Sequence, residues 1–81
     1  MKKVKEIIAS VFEIDIAGIN MEMTSDDIEK WDSLGQLKLI NALEKEFNVI
    51  FEMEEIFSIM SIKDVYRILE QKKAIKSGNE I

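Results

Sequence analysis

The 81-residue sequence predicts an all-α fold of four helices, with a long loop between the first two helices and a short third helix. Two observations favour this fold class. The chain contains no proline, and apolar residues recur at the spacing of one buried helix face in three separate segments. A chain of this length forms one hydrophobic core, so we expect a single domain over residues 1–75 and a flexible tail over residues 76–81.

The first helix is predicted over residues 2–14, where apolar side chains recur three and four positions apart. Residues 15–32 then carry few regularly spaced apolar side chains and predict a connection between helices. Connections of this length are unusual and tend to be functional or to contain short turns of their own. We expect one such turn within residues 25–30.

The second helix is predicted over residues 33–46, and Asn48 is expected to end it because asparagine tolerates the left-handed backbone conformation. The third helix, over residues 52–57, begins with acidic residues, which the helix dipole favours at that end. Its apolar residues Ile56 and Phe57 are expected to face inward.

The fourth helix is predicted over residues 62–73, with Ser61 and Asp64 forming a capping box at its start. Apolar residues of the three later helices and their connections are expected to lie chiefly in the core, together with the apolar face of the first helix. The predicted core residues are Leu37, Leu39, Ile40, Leu43, Phe47, Ile56, Ile59, Met60, Ile62 and Val65.

The residue types that are absent exclude several classes of enzyme. The sequence has neither cysteine nor histidine, which removes thiol nucleophiles, disulfides, the usual zinc ligand sets and imidazole bases. An enzymatic serine would need another base and an oxyanion-type glycine turn, which the sequence lacks. The acids near position 30 also lack the spacing of a calcium-binding loop. We therefore expect neither catalysis nor a metal site.

The charge distribution indicates the kind of partner. The chain has a net charge of −5, which disfavours nucleic acid and anionic membranes. Residues 26–55 hold nine acidic residues against three lysines, a net charge of −6, so partners should present basic surfaces. No apolar run predicts a membrane span or a signal peptide, and we expect a cytoplasmic protein.

The segment from Trp31 to Gly35 joins the long loop to the most apolar helix. A serine at this junction, Ser33, suits covalent attachment because an incoming enzyme reaches its hydroxyl without unfolding the chain. The start of a helix also tolerates an attached anionic phosphate. A structural alternative is that Ser33 and Gln36 form a capping box, and the two roles can coexist in part. Trp31 is interpreted as a loop anchor packing on the second helix.

The residues Asp32, Ser33 and Leu34 at the start of the second helix resemble the attachment motif of the acyl carrier protein family. The sequence Asn-Ala-Leu-Glu-Lys-Glu-Phe at 41–47 and the spacing of the helices extend this resemblance over nearly the whole chain. The resemblance implies a four-helix acyl-carrier-protein-like bundle. It also implies that a phosphopantetheinyl transferase attaches 4′-phosphopantetheine, derived from coenzyme A, to Ser33.

By the same resemblance, the chain is a monomeric carrier that holds an acyl or aminoacyl group as a thioester and catalyses nothing itself. Its expected partners are acyl-activating ligases or synthases and acyltransferases of a fatty acid, polyketide or related pathway. The residues expected to contact these partners lie beside the serine or are acidic: Asp32, Leu34, Glu44, Glu46, Glu52, Glu54 and Glu55.

Two positions differ from the pattern of carriers in fatty acid synthesis, where acidic residues are common. Gly35 and Lys38 occupy these positions, and together with Trp31 they suggest a specialised carrier that serves a dedicated pathway. Met53 and Met60 are expected to fill gaps, with the alternative that they line a path for the acyl chain. The main competing hypothesis is an unmodified interaction or regulatory module that uses the acidic face of the second and third helices.

Overall fold

The computed structural model describes residues 3–75, which form four α-helices and one short 3-10 turn. The helices are α1 (Val4–Phe12), α2 (Ser33–Phe47), α3 (Met53–Phe57) and α4 (Ile62–Gln71), and the 3-10 turn (Ile16–Gly18) follows α1. The predicted all-α fold, with its long loop and short third helix, is therefore confirmed. The predicted flexible tail, residues 76–81, lies outside the described residues.

The helices end where local backbone geometry stops them. Glu13 adopts the left-handed conformation (φ 57°), so α1 ends at Phe12, two residues before the predicted end. Asn48 adopts the same conformation (φ 54°) and ends α2 one residue later than predicted, with asparagine in the expected role. The fourth helix ends at Gln71 rather than at position 73.

Helices α3 and α4 begin with reciprocal side-chain caps. Glu52 is the N-cap of α3 rather than its first residue, and its backbone N–H donates a hydrogen bond to Glu55. The predicted capping box of α4 is confirmed, with Asp64 accepting a hydrogen bond from the backbone N–H of Ser61. Such caps satisfy backbone donors that a helix leaves unpaired at its start.

The core lies between α1, α2 and α4 and receives further side chains from the loops. An aromatic contact joins α1 to the long loop: Phe12 of α1 stacks on Trp31 of the loop, with ring centroids 5.3 Å apart. The largest fully buried side chains are Phe12, Ile8, Leu39, Leu43, Ile62, Ile68, Leu69, Val4 and Val65.

The long loop is fixed to the core and to the start of α4. Its buried side chains are Ile19, Ile28 and Trp31. The carbonyl oxygens of Met21 and Met23 also accept hydrogen bonds from the first backbone N–H groups of α4, each 3.0 Å long. The loop therefore holds the start of α2 in a defined position.

Four predicted core positions are wrong or only partly right. Phe57, expected to face inward, is 73% exposed, and Leu37 and Met60 are also mostly exposed. Ile56 is half-buried. A five-residue helix buries only a narrow strip, and these side chains instead surround an open groove between α2 and α3.

Within residues 3–75, the helices are too short or too polar to cross a lipid bilayer.

Candidate functional site

Ser33 is the first residue of α2, and its side chain is exposed. Among residues 3–75 its hydroxyl has no hydrogen-bond partner. The neighbouring Asp32 and Leu34 are exposed as well, with 61% of Leu34 accessible to solvent. A modifying enzyme therefore has open access to the Ser33 hydroxyl.

Asp32, and not Ser33, caps α2. Its Oδ1 atom accepts a hydrogen bond of 2.8 Å from the backbone N–H of Gly35, and its backbone carbonyl accepts one from the N–H of Gln36. The capping box predicted between Ser33 and Gln36 is wrong. Aspartate is as good an N-cap as serine, and its position one residue earlier lets it take over the capping role. The Ser33 hydroxyl is thus left for other chemistry.

Gly35 is buried where α2 meets the loop that precedes it. A methyl group at this position would lie 1.9 Å from the carbonyl oxygen of Lys30 and 3.3 Å from the Phe12 ring. Only glycine permits so close an approach between the helix and the loop backbone. The packing therefore gives a structural reason for glycine at position 35, where carriers of fatty acid synthesis commonly have an acidic residue.

Gln36 connects three elements beneath Ser33. Its Oε1 accepts a hydrogen bond of 2.6 Å from the indole N–H of Trp31, and its Nε2 donates one of 3.0 Å to the carbonyl of Ile56 in α3. Trp31 is a loop anchor as predicted, although its ring stacks on Phe12 of α1 while its N–H is bonded to α2. The loop, α2 and α3 are joined at this point.

An open groove of about 520 Å³ begins at Ser33 and runs between α2 and α3. Most of its lining is apolar, and the exposed apolar side chains in it are ones that the sequence had placed in the core. The lining residues are Ser25, Trp31, Asp32, Ser33, Gln36, Leu37, Ile56, Phe57, Ile59 and Met60. A helix of five residues, 53–57, is too short for the spacing of its apolar residues to indicate that Phe57 faces the groove.

The predicted recognition acids have different surroundings. Glu54 and Glu52 are exposed, whereas Glu44 and Glu46 are half-buried. Glu44 accepts a hydrogen bond of 2.9 Å from the backbone N–H of Phe51 and thereby fixes the link after α2. Part of the acidic segment is therefore used to hold the fold together.

Glu55 attaches α3 to the end of α4. Its carboxylate lies 2.8 Å from the Lys72 ammonium, which also lies over the Phe51 ring. The hydrogen bond from Lys72, together with the one from the backbone N–H of Glu52, holds the pKa of Glu55 below its ordinary value. The Glu55 carboxylate therefore helps to hold α3 in place and is less available to partners than a free surface charge would be.

These features fit a covalently attached phosphate ester with a flexible arm. The serine hydroxyl is accessible, the first turn of a 15-residue helix favours an anion, and an apolar groove adjoins the serine. Comparison with known proteins gives the same result. A family model described as the phosphopantetheine attachment site matches residues 2–69.

The chain is 36% identical to an acyl carrier protein of Solidesulfovibrio magneticus over 72 residues, which cover 89% of this chain and 92% of the relative. It is 39% identical to an acyl carrier protein of Clostridium acetobutylicum over 69 residues, covering 85% and 90%. A solved structure from Mycobacterium tuberculosis, provisionally named an acyl carrier protein, superimposes with a TM-score of 0.77 at 26% identity, covering 85% of this chain and 92% of that chain.

The match defines a phosphopantetheine-bearing carrier domain. The chain belongs to the acyl carrier protein family, whose members bear 4′-phosphopantetheine covalently and are carriers rather than catalysts.

Proposed function

We propose that Ser33 bears the 4′-phosphopantetheine arm and that this chain delivers acyl groups to the enzymes of a biosynthetic pathway. When attached, the arm supplies a terminal thiol that holds the acyl group as a thioester. The observation that carries the proposal lies at the start of α2, where Asp32 caps the helix and the Ser33 side chain is exposed to solvent. The dipole of α2 favours the phosphate at the same end.

The test is the intact mass of the protein after incubation with coenzyme A, magnesium and a broad-specificity phosphopantetheinyl transferase. We expect a gain of one phosphopantetheine in the wild type and none in Ser33→Ala. Ser25→Ala is the matched control, because Ser25 is also exposed and lines the same groove. No gain in the wild type with several transferases would favour an unmodified interaction module instead.

Partner recognition is proposed to combine the exposed apolar rim of the groove with nearby acids. Phe57 and Met60, which line the groove together with Ser33, are more than half exposed, as is Leu34, the residue after Ser33. Glu54 is exposed on α3, the helix that also carries Phe57. Apolar contacts give such a surface its affinity, while the acids steer basic partners and make the association sensitive to salt. Weak contacts of this kind suit a carrier that has to dissociate from each enzyme in turn.

The same surface supports a dedicated pathway rather than general fatty acid synthesis. Lys38 and Lys45 are exposed on α2, where they interrupt its acidic surface. A positive charge at Lys38 weakens attraction to a basic docking site. We expect slow turnover of the loaded carrier by a fatty acid chain-extension enzyme, and faster turnover of Lys38→Glu. Efficient turnover of the wild type would contradict this assignment.

A further inference from the structure

The contacts that hold α3 to the rest of the fold affect where an acyl chain attached through Ser33 can lie. α3 has only five residues and none of them is fully buried, so it is too short to be stable without contacts to its neighbours. Two of its polar contacts join it to other helices. One is the ion pair of Glu55 with Lys72, and the other is the hydrogen bond from Gln36 to the carbonyl of Ile56.

The Gln36 contact lies in the groove that begins at Ser33. Gln36 and Ile56 both line this groove and both are half-buried. Beyond them the lining passes from the exposed rim, such as Phe57, to buried side chains, such as Ile59 and Trp31. A chain that leaves Ser33 and moves inward between α2 and α3 therefore meets the bridge that Gln36 makes.

The Gln36 side chain is also held by the long loop. Its Oε1 is bonded to the Trp31 indole, whose ring is stacked on Phe12, so the side chain cannot turn away without losing that contact too. Each hydrogen bond of this kind shifts an equilibrium by about twofold to tenfold. Displacement of Gln36 would remove both of them together.

We propose that Gln36 determines how much of an attached acyl chain this carrier takes in. By tying α3 to α2 across the groove, it keeps the chain at the rim and prevents long chains from reaching the core. The carrier then suits short cargo, or cargo that partner enzymes must reach without first extracting it. This inference rests on the proposed attachment at Ser33, and the intact-mass measurement above tests that attachment separately.

The experiment compares carriers loaded enzymatically with acetyl, octanoyl or palmitoyl phosphopantetheine, each verified by intact mass. The rate of thioester cleavage by hydroxylamine reports how far the chain is buried, and Trp31 emission reports the bond to Gln36. For the wild type we expect similar cleavage rates for all three chains and unchanged emission. Strong protection of the palmitoyl thioester together with a shift of Trp31 emission would show that Gln36 yields readily, and would overturn the proposal.

The variant Gln36→Met keeps the side chain's length and removes both hydrogen bonds. We expect its palmitoyl thioester to be cleaved at least about fivefold more slowly than that of the wild type, as expected for the loss of both bonds. Lys72→Met is the matched control, since it removes the other polar contact of α3 and Lys72 does not line the groove. Equal protection in both variants would mean that general loosening of α3 is responsible and would contradict a specific role for Gln36.

The unmodified protein gives an independent readout. Free octanoate should quench or shift Trp31 emission in Gln36→Met at concentrations that leave the wild type and Lys72→Met unchanged. The same response in all three proteins would count against the proposal. A failure of Ser33 modification would not affect this measurement, so the two proposals can fail separately.

Discussion

The carboxylate of Asp32 accepts a 2.8 Å hydrogen bond from the backbone N–H of Gly35, and this bond closes the first turn of α2. Both residues have structural roles at the start of α2. Asp32 satisfies a donor that would otherwise be unpaired, and Gly35 lets the carbonyl of Lys30 approach the helix. Ser33, which lies between them, is left with an exposed hydroxyl.

Removal of the cap should weaken the fold modestly. We expect Asp32→Ala to lower the free energy of unfolding by about 1 kcal/mol, because one backbone donor of α2 loses its partner. Asp32→Asn retains an oxygen acceptor and should cost much less. Ser33→Ala should leave stability nearly unchanged, and urea denaturation of the three variants measures the difference. A larger loss for Ser33→Ala than for Asp32→Ala would show that the serine caps the helix after all.

The two glycines with described surroundings should respond very differently to alanine. Gly35→Ala forces a methyl group against the Lys30 carbonyl oxygen, and we expect a loss of at least about 2 kcal/mol, as in other overpacked sites. Gly18→Ala meets no atom within 4 Å and should change stability by less than about 1 kcal/mol. Thermal unfolding followed by circular dichroism gives both values. Equal effects would contradict the close approach at Gly35.

Acid should destabilise the protein in part through Asp64. Its burial alone would raise its pKa, but hydrogen bonds from the backbone N–H groups of Met60 and Ser61, together with nearby Arg67, hold the pKa below its ordinary value. A lowered pKa in the folded state stabilises the fold above the ordinary pKa of aspartate. This contribution is lost as the pH falls through the lowered value.

Stability measured by chemical denaturation should therefore be constant near neutral pH and decline in acid. Asp64→Asn should be less stable at neutral pH and should show a shallower decline, since the group that titrates has been removed. Glu13→Gln is the matched control, because the Glu13 carboxylate is exposed and forms a surface ion pair with Lys30. An unchanged acid decline in Asp64→Asn would assign the pH dependence to other carboxylates, such as Glu55.

The order and type of the helices followed from the sequence because apolar spacing, a helix-ending asparagine and the Ser61–Asp64 cap are local signals. The candidate attachment residue, Ser33, also came from a local motif at the start of α2. These features depend on neighbours within one or two turns of the same helix. Sequence reasoning is most dependable at that range.

Only the tertiary structure decided which side chains of each segment contact other segments of the chain. Phe57 is apolar yet exposed, since the short α3 is held by polar contacts to Gln36 and Lys72 rather than by its own buried face. Gly35 had suggested unusual partners, but the carbonyl of Lys30 occupies the space that a side chain would need. The sequence offered Gln36 as a member of a local capping box with Ser33, whereas its hydrogen-bond partners lie five and twenty residues away. The distances between such groups exist only once the chain has folded, because no periodicity or motif encodes contacts between separate elements.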